Sequence, residues 1–445
     1  MKSNHDFKNI AVIGAGYIGA VLSAVLADKG FNVTAIDINE SLIKIYNSAN
    51  SPFNEPGLQE LINKTINNNS LTASTDISKI TEADVILITV GTPLKEDGSA
   101  DDFAIKSAIS SMLPYIKDDQ LIILKSTVPP STTQELVAKP LSKIAKVYVA
   151  FCPERLAEGN AIEECKNIPV VVGGVDDESA LLAEEFWTKS LGVECIRVEN
   201  SSAAELVKLA DNAWIDLNIA LSFELAKVAD FLEIDVLPVI KATNSLPKGQ
   251  HFVNILLPSI GVGGYCLTKD PWFMNAFAES FGSSFKTAVT SRIVNQESPI
   301  YSANRLDETL SLKFPKLEKN EIQIGILGLA FKNNTGDCRF TPSLPAIKIL
   351  LELGYSIKAF DPYVNDSDYA LFNPLKRAFS IDEAMDGAHA LAFFAGHKEF
   401  EKIDHKRMKE LLAPGAVIFD GRMYFERKEI EAFLELGFVF KGVGR

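Results

Sequence analysis

Residues 10–37 restrict the fold of this chain more than any other stretch. The β-branched run Ile10-Ala11-Val12-Ile13 leads into Gly14-Ala15-Gly16-Tyr17-Ile18-Gly19, a helical segment follows through Ala27, and a second strand ends at Val33-Thr34-Ala35-Ile36-Asp37. Glycines in that turn can reverse the chain, admit a pyrophosphate to the helix N-terminus and let helix pack on strand. A carboxylate closing the second strand accepts hydrogen bonds from a ribose 2′-hydroxyl and repels a 2′-phosphate. No arginine follows in Ile38-Asn39-Glu40, so the pattern predicts an NAD site on Gly14, Gly16, Tyr17, Ile18, Gly19 and Asp37. A tight βα turn with no nucleotide is the alternative, and the strand on either side argues against it.

The alternation continues through residues 84–90, 121–124, 147–150 and 170–172, then restarts at 322–328, 356–362, 390–394 and 416–420. Short apolar runs between helical stretches mark parallel, doubly wound sheets, so the expected fold is α/β with two Rossmann-like domains. Residues 201–232 hold no Gly or Pro, and Leu206, Leu209, Ala210, Ala213, Leu217, Ala220 and Leu221 recur at helical spacing. One long central helix is predicted there, a spine joining the sheet domains and a face for a homodimer. The expected organisation is an NAD-binding domain over 1–200, a central helical segment over 201–303 and a second Rossmann-like domain over 304–445. The second glycine turn, Gly325-Ile326-Leu327-Gly328-Leu329-Ala330, lacks the full fingerprint and is assigned no dinucleotide.

Composition removes other classes. A net charge of −14 offers a phosphate backbone no general attraction, which argues against nucleic acid. Neither a signal core nor a run long enough to span a bilayer is present, so no membrane partner and a cytoplasmic location are expected. The cysteines, Cys152, Cys165, Cys195, Cys266 and Cys338, show no C-x-x-C spacing, against both a disulfide framework and a structural metal. Cys266 stands apart because it lies in Gly261-Val262-Gly263-Gly264-Tyr265-Cys266-Leu267-Thr268-Lys269-Asp270. Glycines let a substrate approach the sulfur, and a nearby lysine and carboxylate can tune its ionisation. A tight turn carrying a buried cysteine is the other reading of those residues alone.

Taken with Glu55-Pro56-Gly57-Leu58, Val90-Gly91-Thr92-Pro93, Lys125-Ser126-Thr127-Val128-Pro129, Cys152-Pro153-Glu154-Arg155, Glu205-Leu206-Val207-Lys208 with Asn212, Gly328-Leu329-Ala330-Phe331-Lys332 and Asp420-Gly421-Arg422, the chain resembles the UDP-glucose/GDP-mannose dehydrogenase family over nearly its whole length. The resemblance implies oxidation of the C6 hydroxymethyl of a nucleotide sugar to a carboxylate, with NAD as acceptor, to supply polysaccharide biosynthesis. Cys266 would add to the intermediate aldehyde, giving a thiohemiacetal and then a thioester. Lys208 and Asn212, four residues apart on one helix face, would stabilise the developing oxyanion; a solvated helix face is their plainer reading. Asp270 and Thr127 would bind the hydrolytic water, and Glu154 and Glu158 would serve proton transfer or sugar hydroxyls. Thr92, Pro93, Thr127 and Lys269 join the implied cofactor contacts, although Lys269 beside Asp270 also reads as a surface ion pair. Glu154, Arg155, Glu158, Lys208, Gly263, Lys332 and Arg339 are the implied UDP-sugar contacts.

Three departures touch the substrate side: Gly336-Asp337 where the family carries two carboxylates, Phe223 where Asn is common, and Met423 where Asn follows the arginine. The branch signals are mixed. Tyr265-Cys266-Leu267 resembles UDP-glucose enzymes, whereas Arg155, Gly396-His397-Lys398-Glu399-Phe400 and Gly442-Val443-Gly444-Arg445 resemble the UDP-N-acetylhexosamine branch, which is favoured. Arg155 paired only with Glu158 is the plainer reading of that side chain. The rival functions are a single-hydride hydroxy-acid or hydroxyacyl dehydrogenase, which needs a His or Lys base and no thiol, and a non-catalytic nucleotide-binding protein.

Overall fold

The β-branched runs become two separate sheets, one in each half of the chain. The computed structural model describes residues 6–445, which divide into a unit running up to Asp211 with Phe273–Ser284, and a unit of Asn212–Trp272 with Phe285–Arg445. Among the described residues no helix is long and apolar enough to cross a membrane.

In the first unit, β1 (Asn9–Ile13), β2 (Asn32–Ile36), β3 (Leu71–Ser74), β4 (Val85–Ile88), β5 (Leu121–Leu124), β6 (Tyr148–Phe151), β7 (Val170–Gly174) and β8 (Cys195–Arg197) form one sheet in the order β3-β2-β1-β4-β5-β6-β7-β8. Successive residues point to opposite faces and both faces are covered: Val12, Leu87 and Ile123 enter one core, while Ile13, Ile88 and Leu124 enter another. The helix Tyr17–Asp28 is buried from Gly19 to Ala27, which accounts for its nearly unbroken apolar sequence. One correction concerns direction: β7 pairs antiparallel with β6, although its apolar run reads like the parallel strands.

The predicted spine is a single helix, Ser201–Phe231, of 31 residues. In the second unit, its later residues Phe223 and Ala226 share a core with Ile324, Ile326 and Phe419. Asp216, fully buried on that helix, accepts a hydrogen bond from Arg292 Nη1 at 2.5 Å and from Asn295 Nδ2 at 2.8 Å, pinning it to the helix Lys286–Lys313.

After a short hairpin of β9 (Pro247–Lys248) and β10 (His251–Phe252), the second unit builds a wholly parallel sheet. Its strands β11 (Gln323–Leu327), β12 (Ser356–Phe360), β13 (Lys376–Arg377), β14 (Ala390–Phe393), β15 (Val417–Asp420) and β16 (Val439–Gly442) lie in the order β13-β12-β11-β14-β15-β16. The first six strands of the other unit follow the same order, so the two sheets repeat one topology.

Candidate active site

The glycine turn of the first unit divides the labour of its three glycines. Gly14 has φ +93° and donates its N–H to Ile36 O at 2.8 Å, closing the turn. A Cβ at Gly19 would stand 1.9 Å from Gly14 O, so helix and strand pack at a distance only glycine permits. At Gly16 a Cβ would meet nothing within 4 Å, and no side chain caps the helix that starts beside it. The open face and uncapped amides fit a pyrophosphate. Asp37 is held against this turn: Oδ2 accepts Ala15 N–H at 2.8 Å and Oδ1 accepts Asn39 N–H at 2.9 Å. These residues fit NAD, with Asp37 set for the ribose and Gly16 for the phosphates.

Glu55 ties the cofactor turn to the loop after β6. Its buried carboxylate accepts Tyr17 Oη–H at 2.5 Å, Gly159 N–H at 2.6 Å and Ala161 N–H at 2.8 Å. In the same loop Glu154 Oε1 accepts the N–H groups of Arg155 and Leu156 at 2.8 and 2.9 Å, while Oε2 lies 3.3 Å from Lys125 Nζ. Lys125 also donates to Cys152 O at 3.2 Å and stands over the Trp187 ring at 4.8 Å. Arg155 corrects its plainer reading. Its guanidinium donates to Pro169 O at 2.5 Å and lies 3.9 Å from Asp211, rather than pairing with Glu158. Thr92 is buried and donates its hydroxyl to Thr127 O at 2.7 Å, while Pro93 is exposed and Glu158 and Thr127 are half-buried.

On the central helix Lys208 and Asn212 are both buried, so the solvated-face alternative does not hold. One turn before Lys208, Glu205 is fully buried with Oε1 accepting the N–H and hydroxyl of Thr133 at 2.7 and 2.6 Å. Burial pushes its carboxyl up to about 7, against the lowering effect of those two bonds.

The cysteine turn belongs to the second unit. Lys269 and Asp270 donate their N–H groups to Cys266 O at 3.1 and 2.9 Å, Thr268 Oγ1 donates to Gly264 O at 2.8 Å, and Gly264 N–H reaches Arg339 O at 3.0 Å. A Cβ at Gly263 would stand 2.4 Å from the Phe331 side chain, so this close approach requires glycine. The backbone is closed, yet the Cys266 thiol is exposed. Every other cysteine is driven toward the neutral thiol by burial: Cys152 and Cys165 up to about 12, Cys195 and Cys338 also upward. Asp270 is wholly buried, accepting Asn212 Nδ2 at 2.5 Å and Lys269 Nζ at 2.6 Å. The Lys269–Asp270 pair is therefore a buried one, contrary to the surface-pair reading, and its ammonium also faces the Tyr265 ring at 5.4 Å.

Beside this turn lies a cavity of about 290 Å³, lined by Gly261, Gly263, Phe331, Lys332, Asn333 and Arg422 among others. Arg422 donates to Phe331 O at 2.9 Å, and desolvation lowers its pKa to about 10. A cavity walled by Lys332 and Arg422 suits anionic oxygens.

Residues 8–190 match the NAD binding domain of the UDP-glucose/GDP-mannose dehydrogenase family, 202–297 its central domain and 325–427 its UDP binding domain. A UDP-N-acetyl-D-mannosamine dehydrogenase of Methanococcus maripaludis is 34% identical, covering 99% of this chain and 98% of its own. The chain belongs to the UDP-glucose/GDP-mannose dehydrogenase family. It is an NAD-dependent nucleotide-sugar dehydrogenase. The solved UDP-D-ManNAc dehydrogenase of Pyrococcus horikoshii is similar at TM-score 0.87 and 29% identity, covering 98% of this chain and 99% of that one. A UDP-glucose dehydrogenase of Pyrobaculum islandicum has TM-score 0.86 and 25% identity, covering 100% and 99%.

Among the residues lining this cavity, the sequence marks Lys332 and Gly263 but not Arg422, whose signal was the Asp420-Gly421-Arg422 triplet. Arg339 does not line this cavity; its Nε and Nη2 donate to Asp337 Oδ1 and Oδ2 at 2.9 and 2.5 Å. Glu55 and Lys125 were also passed over, and in both cases a family motif was the only pointer. Gly336 fills its place because a Cβ there would stand 2.2 Å from Tyr363 O. Phe223 packs edge-on to Tyr301 in the core, away from the cavity lining. Met423 adopts φ +53°, a left-handed conformation that Asn tolerates better, which gives a physical reason for Asn in relatives.

Proposed function

We propose that this dehydrogenase oxidises the C6 hydroxymethyl of a UDP-N-acetylhexosamine, UDP-N-acetylmannosamine first among them and UDP-N-acetylglucosamine and UDP-N-acetylgalactosamine next, to the uronic acid. The observation that carries the reaction type is the exposed Cys266 thiol on a closed glycine turn, in a chain where every other thiol is held neutral by burial. NAD, when bound, accepts the hydride in each of the two oxidations. Cys266 adds as thiolate to the aldehyde carbon, and its sulfur is the leaving group when water attacks the resulting thioester. Lys208 and Asn212 stabilise the oxygen that gains negative charge, Asp270 and Thr127 hold the water, and Glu154 and Glu158 take protons or sugar hydroxyls. Arg155 favours the acetamido branch, and the curated relative's name supports mannosamine. UDP-glucose is the second reading, favoured by the Tyr265-Cys266-Leu267 sequence and by the likeness to the Pyrobaculum structure.

A homodimer through the central helix belongs to the same proposal. Trp214, Leu217, Leu221 and Val228 are 48, 42, 45 and 56% exposed along one face of that helix.

The test is NADH formation on the five sugars UDP-N-acetylmannosamine, UDP-N-acetylglucosamine, UDP-N-acetylgalactosamine, UDP-glucose and GDP-mannose. The expected result is two NADH per acetamido sugar consumed, with Cys266→Ser forming no carboxylate while still binding NAD. Turnover of UDP-glucose alone would select the second reading, and undiminished acid formation by Cys266→Ser would remove the thioester route.

A further inference from the structure

The second unit carries an imitation of the cofactor turn. Gly328 donates its N–H to Phe360 O at 2.9 Å as Gly14 does to Ile36 O at 2.8 Å. Asp361, just past β12, accepts Leu329 N–H at 2.7 Å and Ala330 N–H at 3.2 Å, as Asp37, just past β2, accepts Ala15 N–H at 2.8 Å. Beyond this the two turns diverge. Gly16 faces open space, whereas the corresponding position is Ala330, and a Cβ at Gly328 would stand 2.5 Å from Ala395. Asp37 is half-buried beside an Ile38 that is 97% exposed, whereas Asp361 is only 3% exposed.

The group against Asp361 is His397. Its Nε2 lies 3.0 Å from Asp361 Oδ2, and the imidazole is fully buried, with the rings of Tyr363 and Phe400 at 5.0 and 5.2 Å. Its Nδ1 is 2.8 Å from Asn334 N, a backbone donor. That donor assigns the tautomer: Nδ1 is bare and accepts, while Nε2–H donates to the carboxylate. Around this bond the segments are stitched together further, with Gly396 N–H on Asn333 Oδ1 at 2.8 Å and Lys398 N–H on Asn334 Oδ1 at 2.9 Å. Lys332 and Asn333, on the fixed segment, face the cavity.

We infer that His397 turns a dinucleotide-type βα turn into a substrate-nucleotide site. Its Nε2–H occupies the carboxylate that would otherwise meet a ribose diol, and its Nδ1 fixes the loop that presents Lys332 to a nucleoside diphosphate. His397 is thus a positioning residue, and the inference rests on the nucleotide-sugar reading of the cavity.

Three replacements separate the two nitrogens. Asn at this position retains an acceptor near Nδ1, Gln retains a donor toward Asp361, and Ala retains neither. The full-length enzyme is titrated with UDP and separately with NAD, and kcat and KM are measured on the preferred UDP-sugar. His397→Ala and His397→Gln are expected to weaken UDP binding and raise the sugar KM roughly tenfold, the scale of one lost hydrogen bond with some loop disorder, at nearly constant kcat and NAD affinity. His397→Asn is expected to stay within about threefold of the parent for UDP. The inference falls if Ala and Gln bind UDP as well as the parent does, or if Asn loses as much as Ala, since the ring would then be packing alone. Should the alanine variant not fold, the Asn and Gln pair decides by the same ordering. A parent enzyme that binds no UDP at all would instead overturn the reading of the cavity.

Discussion

At the scale of single residues, the charges around Glu154 carry the argument furthest. The side chains of Lys125 and Glu154 are 4 and 13% exposed, so neither charge has water to fall back on. A buried pair is weak evidence for net stability, but removing one partner strands the other at a cost of roughly 3–5 kcal/mol. Lys125→Met is therefore expected to lower unfolding free energy by about that amount in a urea titration and to depress activity. Lys125→Met combined with Glu154→Gln is expected to regain most of the stability without the activity. If the double variant stays as unstable as the single one, the loss lies in lysine packing over Trp187 and not in a stranded carboxylate. Lys125 was hard to read from sequence because one lysine after an apolar strand has no spacing to betray it. Cys266 was legible because Gly261, Gly263 and Gly264 precede it and Lys269 and Asp270 follow it within a family motif, and Asp37 because its distance from the glycines is set by one helix and one strand.

Among elements, legibility followed burial. Strands β4 and β5 are wholly buried, and their runs Val85-Ile86-Leu87-Ile88 and Leu121-Ile122-Ile123-Leu124 announce them. The edge strands β3, β8, β13 and β16 escaped because each is short and partly solvated, so no apolar run forms. Nor does an apolar run record the direction of its partner, which is why the reversal at β7 went unseen. The central helix was plain from its lack of Gly and Pro, and it ends within one residue of the predicted stretch; the form of its cap was not legible. Ile234 N–H bonds to Ala229 O at 3.0 Å and Glu233 takes φ +55°, a left-handed C-cap at a position that usually falls to glycine. Exposed Glu233 makes no bond in this conformation that glycine could not. Glu233→Gly is expected to raise stability by about 0.5–1 kcal/mol, read as an upward shift of the urea midpoint with an unchanged slope. A shift downward would mean that the glutamate side chain contributes more than the strain removes.

For the whole molecule, association must contend with charge. Each chain carries a net charge of −14, so two copies repel at long range, while the exposed Trp214, Leu217, Leu221 and Val228 offer an apolar stripe whose burial opposes that repulsion. The two terms respond oppositely to ionic strength. Salt shortens the screening length from about 30 Å at 0.01 M to about 8 Å at 0.15 M and leaves apolar burial in place. Sedimentation is therefore expected to show a dimer that tightens as salt rises, unlike a complex held by complementary charges, which would loosen. Leu217→Lys with Leu221→Lys adds like charges at the centre of the stripe and is expected to leave monomers at micromolar concentration in every buffer. A dimer that survives both substitutions, or that dissociates with added salt, would move the interface off the central helix and onto a charged surface.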